Sequence, residues 1–245
     1  MYLGLHITAI IPALNEEQAI GLVVSDLKNL MDKSGLPVID RIIVGDNGST
    51  DNTAQIAKQA GADVVYEPQK GYGSACLAAL GQIQETDIVL FVDGDCSIVV
   101  SQTFDLLTAI VEGGDMVIGS RVLGYIEPGA MSWPQKMGNG FVAFAIAKLW
   151  RSTLTDLGPF RVIRYPALTN LEMQDKSYGW TVEMQAKALQ KGLLVKEVPV
   201  DCRVRIGKSK VSGTLRGVIG AAFGMLGMII RLKFNELKKT GLSKP

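Results

Sequence analysis

Two carboxylates separated by one small residue, Asp93-Gly94-Asp95, follow directly on the apolar run Ile88-Val89-Leu90-Phe91-Val92. Carboxylates at that spacing can both approach one hard divalent cation, which prefers oxygen ligands. The bland alternative is a solvated turn in which Gly94 merely permits the bend, and the position at the end of an apolar run favours the metal. A second polar cluster, Asp46-Asn47-Gly48-Ser49-Thr50-Asp51, follows Arg41-Ile42-Ile43-Val44. Turn and capping chemistry accounts for Asp51. Asp46, at a strand end, offers an acceptor for the imide proton of a pyrimidine or the amide edge of a purine. Arg203, Arg205, Lys208 and Lys210 place four cations within eight positions, either a solvated basic loop or a site for a phosphorylated ligand. Asp156 and Glu183 are the acids that could act as a general base, a group required only when the acceptor is an alcohol. A turn or N-cap role competes for Asp156, and an exposed helical position for Glu183.

Several chemistries are excluded. His6 is the single histidine, so neither a Ser-His-Asp triad nor a multi-histidine metal site is expected. Cys76, Cys96 and Cys202 form no Cys-x-x-Cys pair, which fits a reducing compartment and argues against a disulfide framework. Lys plus Arg is 25 and Asp plus Glu is 24 in 245 residues, a net charge of +1. That balance gives no chain-wide attraction for nucleic acid, and any anion site must be local. The chain is 47% hydrophobic and 20% charged, within the globular range. No basic region followed by a long apolar stretch marks a secretory signal at the N-terminus.

The elements that must position these groups are short β-branched runs alternating with helical patterns. Ile7-Thr8-Ala9-Ile10-Ile11, ending at Pro12, reads as a buried parallel strand. Asn15 is expected to cap the following helix, with Glu16 and Glu17 in its first turn and Ile20, Val23, Val24, Leu27 and Leu30 on its apolar face. Further strands are expected at 41–44, 63–66, 88–92 and 116–118, with helices at 51–60, ended by Gly61, and near 74–84. Strand, helix, strand at this spacing predicts an α/β fold whose mainly parallel sheet carries helices on both faces. Ligands in such folds bind beyond the carboxyl ends of the strands, where Asn15-Glu16, Asp46-Asn47, Lys70 and Asp93-Gly94-Asp95 fall. Residues 134–150 read as a helix, and 197–206 as an alternating strand whose Pro199 suits a sheet edge. No linker or internal repeat divides the chain. One domain is expected.

The ordered set of motifs resembles family 2 glycosyltransferases, in the branch similar to dolichyl- and polyprenyl-phosphate mannose and glucose synthases. It comprises Ile10-Ile11-Pro12-Ala13-Leu14-Asn15-Glu16, the 46–51 cluster, Lys70-Gly71-Tyr72-Gly73, Asp93-Gly94-Asp95, Ile118-Gly119-Ser120-Arg121, Asp156-Leu157-Gly158-Pro159-Phe160-Arg161, Tyr178-Gly179-Trp180-Thr181-Val182-Glu183-Met184 and Arg205-Ile206-Gly207-Lys208-Ser209-Lys210. Those synthases commonly read Ser-Gly-Phe-Arg where this chain has Gly158-Pro159-Phe160-Arg161. The resemblance implies a single GT-A (Rossmann-like) domain over 1–215, with 216–245 as its C-terminal apolar and basic helical extension. It further implies a nucleotide-diphosphate-sugar donor, Mg²⁺ or Mn²⁺ on Asp93 and Asp95, and inversion at the anomeric carbon. The donor site it implies comprises Pro12, Ala13, Asn15, Glu16, Asp46, Lys70, Asp93, Gly94, Lys208 and Lys210. Asp95, Arg205, Asp156 and Glu183 are the expected catalytic groups.

Residues 217–230 are 14 uncharged residues bracketed by Arg216 and Arg231. As a helix they measure about 21 Å, short of the roughly 30 Å hydrocarbon core. With the apolar stretch 141–147 they suit a peripheral contact at the cytoplasmic membrane face, or, through Gly217, Gly220, Gly224 and Gly227, packing in a homo-oligomer. The leading acceptor is a polyprenyl phosphate or similar lipid phosphate, and a soluble hydroxyl acceptor or a non-catalytic nucleotide-binding module remains open. A Rossmann dehydrogenase is disfavoured, because no Gly-x-Gly-x-x-Gly follows the first strand.

Overall fold

A computed structural model describes residues 2–207, 215–239 and 241. Seven strands form one sheet: β1 (Ile7–Ala13), β2 (Arg41–Asp46), β3 (Asp63–Tyr66), β4 (Ile88–Phe91), β5 (Met116–Ser120), β6 (Arg161–Arg164) and β7 (Val195–Pro199). Their spatial order is β3-β2-β1-β4-β6-β5-β7. All neighbours pair in parallel except β6, which runs antiparallel to both β4 and β5. The helices are α1 (Ile20–Lys28), α2 (Thr53–Ala60), α3 (Tyr72–Leu80), α4 (Thr103–Val111), α5 (Trp133–Trp150), α6 (Tyr165–Leu171), α7 (Trp180–Gln190) and α8 (Leu215–Lys239). The single α/β domain expected from the strand–helix alternation is therefore present.

The strands are apolar on both faces because helices cover both. Ile7, Ala9 and Ile11 of β1 pack into one core with Val23, Val24 and Leu27 of α1 and Leu106 and Ile110 of α4. Ile10 of the same strand, with Ile43, Val89 and Phe91, enters the opposite core with Cys76 and Ala79 of α3 and Trp180 and Met184 of α7. A third cluster joins Val142 and Ile146 of α5, Val182 and Ala186 of α7, and Met228, Ile229 and Leu232 of α8. No helix among the described residues is long and apolar enough to cross a membrane.

Three expected elements differ. Helix α1 begins at Ile20 rather than after Asn15. Asn15 has φ +54° and accepts a hydrogen bond from Thr50 N at 2.7 Å, so it staples two loops together instead of capping a helix. Glu17 likewise lies outside the helix and accepts from Asn52 N. The sheet strand near 197–206 stops at Pro199 on the β7 edge. Beyond it Cys202 makes only isolated bridges to Ile98 and Ile126, and Val204 is exposed. Strand β6 lies in the motif 156–161 and the residues after it, which carry no obvious strand pattern.

Strand β2 meets α3 at Gly45, where a Cβ would run into the carbonyl of Ala75. Backbone cannot yield as a side-chain tip can. Gly45→Ala is expected to cost about 1–3 kcal/mol, read as a lowered midpoint in chemical denaturation. An unchanged midpoint would show that the contact gives way freely.

Candidate active site

The parallel register aligns the carboxyl ends of β1, β2 and β4. Ala13 pairs with Asp46, and the 93–95 turn follows β4 beside them. A cavity of about 270 Å³ opens there. Pro12, Ala13, Leu14 and Glu16 line it after β1, Asn47 after β2, and Lys70, Gly71, Tyr72 and Ala75 at the start of α3. Asp93, Gly94 and Asp95 form its floor after β4, with Tyr178 and Arg205 as walls.

Asp93 is partly buried at the cavity. Its Oδ1 accepts a hydrogen bond from Tyr72 OH at 3.1 Å. Burial, then the neighbouring charge of Asp95, push its pKa up to about 6, against the opposing pull of Tyr72, Arg121 and Arg205. The same burial and the Asp93 charge push the Tyr72 phenol well above its usual value, so it stays a donor. Arg161, fully buried, donates to the carbonyls of Leu157, Gly158 and Thr181. Desolvation lowers its pKa to about 10, which leaves it charged at neutral pH.

Asp95 is fixed by its own turn, where Oδ1 accepts from Ser97 N at 2.9 Å. Its Oδ2 faces Arg205 Nη1 at 3.3 Å, and Arg205 Nη2 reaches Glu16 Oε1 at 2.9 Å. Ile206 N donates to the carbonyl of Asp95 at 2.9 Å, which ties the arginine segment to the acidic turn. Arg205 Nε is buried without a hydrogen-bond partner among the described residues, a donor in place for an anion. Hard oxygen donors that already hold a cationic group suit Mg²⁺ or Mn²⁺. No cluster of three His, Cys, Asp or Glu residues that could hold a metal occurs among the described residues. The chain therefore offers two carboxylates, and ligand oxygens and water must complete the shell, as is usual for Mg²⁺ with a bound phosphate.

Four expected site residues do not line the cavity. Asp46 is buried and accepts from Ser49 N, while Asn15 links loops as described. Asp156, with no accessible surface, accepts from Arg121 Nη2 at 2.7 Å and from Arg121 Nε and N at 2.8 Å. Burial alone would raise its pKa, but these bonds and the Arg121 charge outweigh it and hold it below the usual value. Glu183 accepts from Gln174 N and Asp175 N and pairs with Lys187 at 2.8 Å. It anchors the loop that carries Tyr178. Lys208 and Lys210 lie outside the described residues.

Asn47, the first residue after β2, lines the cavity, whereas Asp46 does not. Its Nδ2 donates to Gln69 O at 2.7 Å and its Oδ1 accepts from Gly71 N at 2.7 Å, fixing the loop before α3. Lys70 Nζ donates to the carbonyls of Asn47 and Gly48. The 46–51 cluster was the available signal for Asn47, and the Tyr178-Gly179-Trp180 motif was the signal for Tyr178.

The family model described as glycosyl transferase family 2 matches residues 8–171. The chain belongs to this family. It is 35% identical over 219 residues to an uncharacterised glycosyltransferase of Mycobacterium tuberculosis, covering 88% of this chain and 94% of that one. A dolichyl-phosphate hexose transferase of Haloferax volcanii is 30% identical over 201 residues, covering 80% and 82%. Among solved structures, glucosyl-3-phosphoglycerate synthase from M. tuberculosis with Mn²⁺, uridine diphosphate and glucosyl-3-phosphoglycerate superposes with a TM-score of 0.73. It shares 22% identity and covers 94% of this chain and 80% of that one, a likeness that shows the GT-A fold. This family 2 glycosyltransferase is therefore an enzyme by family, with its cavity at the strand ends where α/β folds bind ligands.

Removing Asp156 would take the ion-pair partner from the partly buried Arg121 and leave it a long contact to Asn139 Oδ1 at 3.4 Å. Asp156→Ala is expected to destabilise this glycosyltransferase by about 3–5 kcal/mol, measured by chemical denaturation. A variant of wild-type stability that loses only turnover would instead mark Asp156 as a catalytic base.

Proposed function

We propose that this enzyme transfers a sugar, with inversion, from a nucleotide-diphosphate sugar to a polyprenyl phosphate or similar lipid phosphate, using Mg²⁺ or Mn²⁺ held by Asp93 and Asp95. The observation that carries the acceptor class is the engagement of both base candidates. Asp156 is paired with Arg121, and Glu183 is bound to the backbone of 174–175. The acids that do line the cavity are committed as well, Glu16 and Asp95 to Arg205 and Asp93 to Tyr72. An acceptor that is already ionised needs no base, and a phosphate monoester meets that condition at neutral pH. The lipid-phosphate substrate named for the Haloferax relative and the Mn²⁺ and uridine diphosphate named for the solved neighbour support the same reading.

The divalent cation would supply positive charge to the departing diphosphate. Around it the chain's own groups divide the work. Asp93 and Asp95 hold the cation at the floor, and Tyr72 OH fixes the orientation of Asp93. Arg205, with its unpartnered Nε, turns toward the diphosphate and adds charge that is worth most where water is excluded. Lys70, Asn47 and Gly71 shape the donor side of the cleft. Lys208 and Lys210 are the cations proposed for the acceptor phosphate.

The test is nucleotide diphosphate release from a panel of nucleotide sugars with Mn²⁺, with and without polyprenyl phosphate. Release is expected to rise with the lipid phosphate and to yield an organic-soluble sugar. Glycosylation of a soluble alcohol with no response to any lipid phosphate would overturn the acceptor. Asp95→Asn is expected to cut turnover by about 100-fold or more. Because Asp93 titrates near 6, Mn²⁺ affinity should fall when pH drops from above that value to below it. A flat calorimetric affinity across that interval would contradict its role as a ligand.

A further inference from the structure

The outer faces of α5 and α8 are apolar, where a helix packed on a domain ordinarily presents polar groups. On α5, Trp133, Met137, Phe141 and Phe144 recur at spacings of four, four and three residues, opposite the buried Val142 and Ile146. On α8, Phe223, Ile230 and Phe234 lie opposite the buried Met228, Ile229 and Leu232. Trp133 and Phe223 are 73% and 74% exposed. The two helices share one core cluster. Trp150 Nε1 donates to Glu236 Oε2 at 2.8 Å, and Lys233 Nζ donates to Leu149 O at 3.4 Å. The helices are therefore neighbours, and each leaves large apolar side chains exposed, as surfaces that meet a partner or a membrane do.

Charge around the stripes has one sign. No acidic residue occurs between Glu127 and Asp156, while Lys136, Lys148 and Arg151 do. Helix α8 carries Arg231, Lys233 and Lys238 against the single acid Glu236, which Lys233 and Trp150 already engage. Lys148 sits over the Phe144 ring at 5.6 Å and Lys238 over Phe234 at 4.5 Å. Apolar stems beside the rings with ammonium heads at the edge suit a boundary between hydrocarbon and anionic headgroups. The patch also adjoins the active site. Tyr178, a cavity wall, packs on α8 at Gly220 and Gly224, where an added Cβ would lie 3.7 and 3.5 Å from its side chain.

We infer that the paired outer face of α5 and α8 docks on an anionic lipid bilayer, both helices lying in the interface with their aromatic side chains inserted. Neither helix crosses, in keeping with the absence of a membrane-crossing helix among the described residues. Interfacial helices of this composition bind through apolar burial together with attraction to anionic lipid. The inference deepens the proposed lipid-phosphate acceptor, because a cavity wall resting on α8 opens beside the bilayer. The surface itself needs no acceptor.

Sedimentation with vesicles lacking polyprenyl phosphate tests it directly. The full chain is expected to co-sediment with phosphatidylcholine–phosphatidylglycerol vesicles, more weakly with phosphatidylcholine alone, and less at high salt. Phe141→Ser with Phe144→Ser should lower binding about tenfold or more, and Lys148→Glu with Arg231→Glu should abolish the preference for anionic vesicles. Both pairs are exposed, so thermal melts and Mn²⁺ binding should match the wild type. Failure of the wild type to bind either vesicle overturns the inference. So does a dimer, seen by ultracentrifugation, that the phenylalanine variant dissolves while vesicle binding is absent. Transfer to polyprenyl phosphate in detergent micelles separates the two readings: vesicle binding without such transfer refutes the acceptor and leaves the surface standing.

Discussion

Holding two carboxylates side by side where water is scarce is the constraint on which the rest of this structure depends. Burial raises the cost of ionising Asp93, and the neighbouring charge of Asp95 adds to it. The fold answers with cations and donors from distant parts of the chain. Tyr72 comes from α3, Arg205 from the segment after β7, and the fields of Arg121 and Arg161 from the ends of β5 and β6. Compensation is incomplete, since Asp93 remains raised to about 6. A site left with that residual cost favours a further positive charge.

The parallel order of β2, β1 and β4 makes this convergence geometrically cheap. Strands that start together end together, so three loops separated by dozens of residues meet at one edge. The antiparallel β6 brings Arg161 under that edge from the opposite direction. Buried carboxylates away from the cavity serve the loops instead. Asp156 holds the turn after β5 through Arg121, and Glu183 holds 174–175 against the start of α3, where Ser74 N donates to Lys176 O. This family 2 glycosyltransferase thus keeps two populations of acids, one bonded within its loops and one lining the cavity.

Much of this was legible in the sequence. The apolar runs around Ile10, Ile43 and Leu90 announced buried strands, and the polar residues just past each run announced the cavity edge. Motif order then pointed to the family. What was not legible depended on partners. Asn15 looked like a cap because capping residues and loop staples share chemistry, and only its positive φ and bond to Thr50 tell them apart. The alternation through Val204 looked like one strand, yet its later half pairs with loops rather than with the sheet. Asp156 and Glu183 are acids suited by type to a base role, and only the structure shows their oxygens engaged by Arg121 and by the backbone of 174–175. Asp46 and Asn47 stood together at a strand end in the sequence, and only the structure shows that Asn47, the residue after β2, lines the cavity.

Under the proposed assignment, Asp93 and Asp95 would hold the cation only in part, and the donor diphosphate would supply further oxygen ligands. Calorimetric titration of Mn²⁺ into the protein with and without a nucleoside diphosphate measures that dependence directly. Binding is expected to be weak for either alone and at least about tenfold tighter for each in the presence of the other. Equal Mn²⁺ affinity with and without the diphosphate, or full diphosphate affinity in the presence of a chelator, would contradict the account.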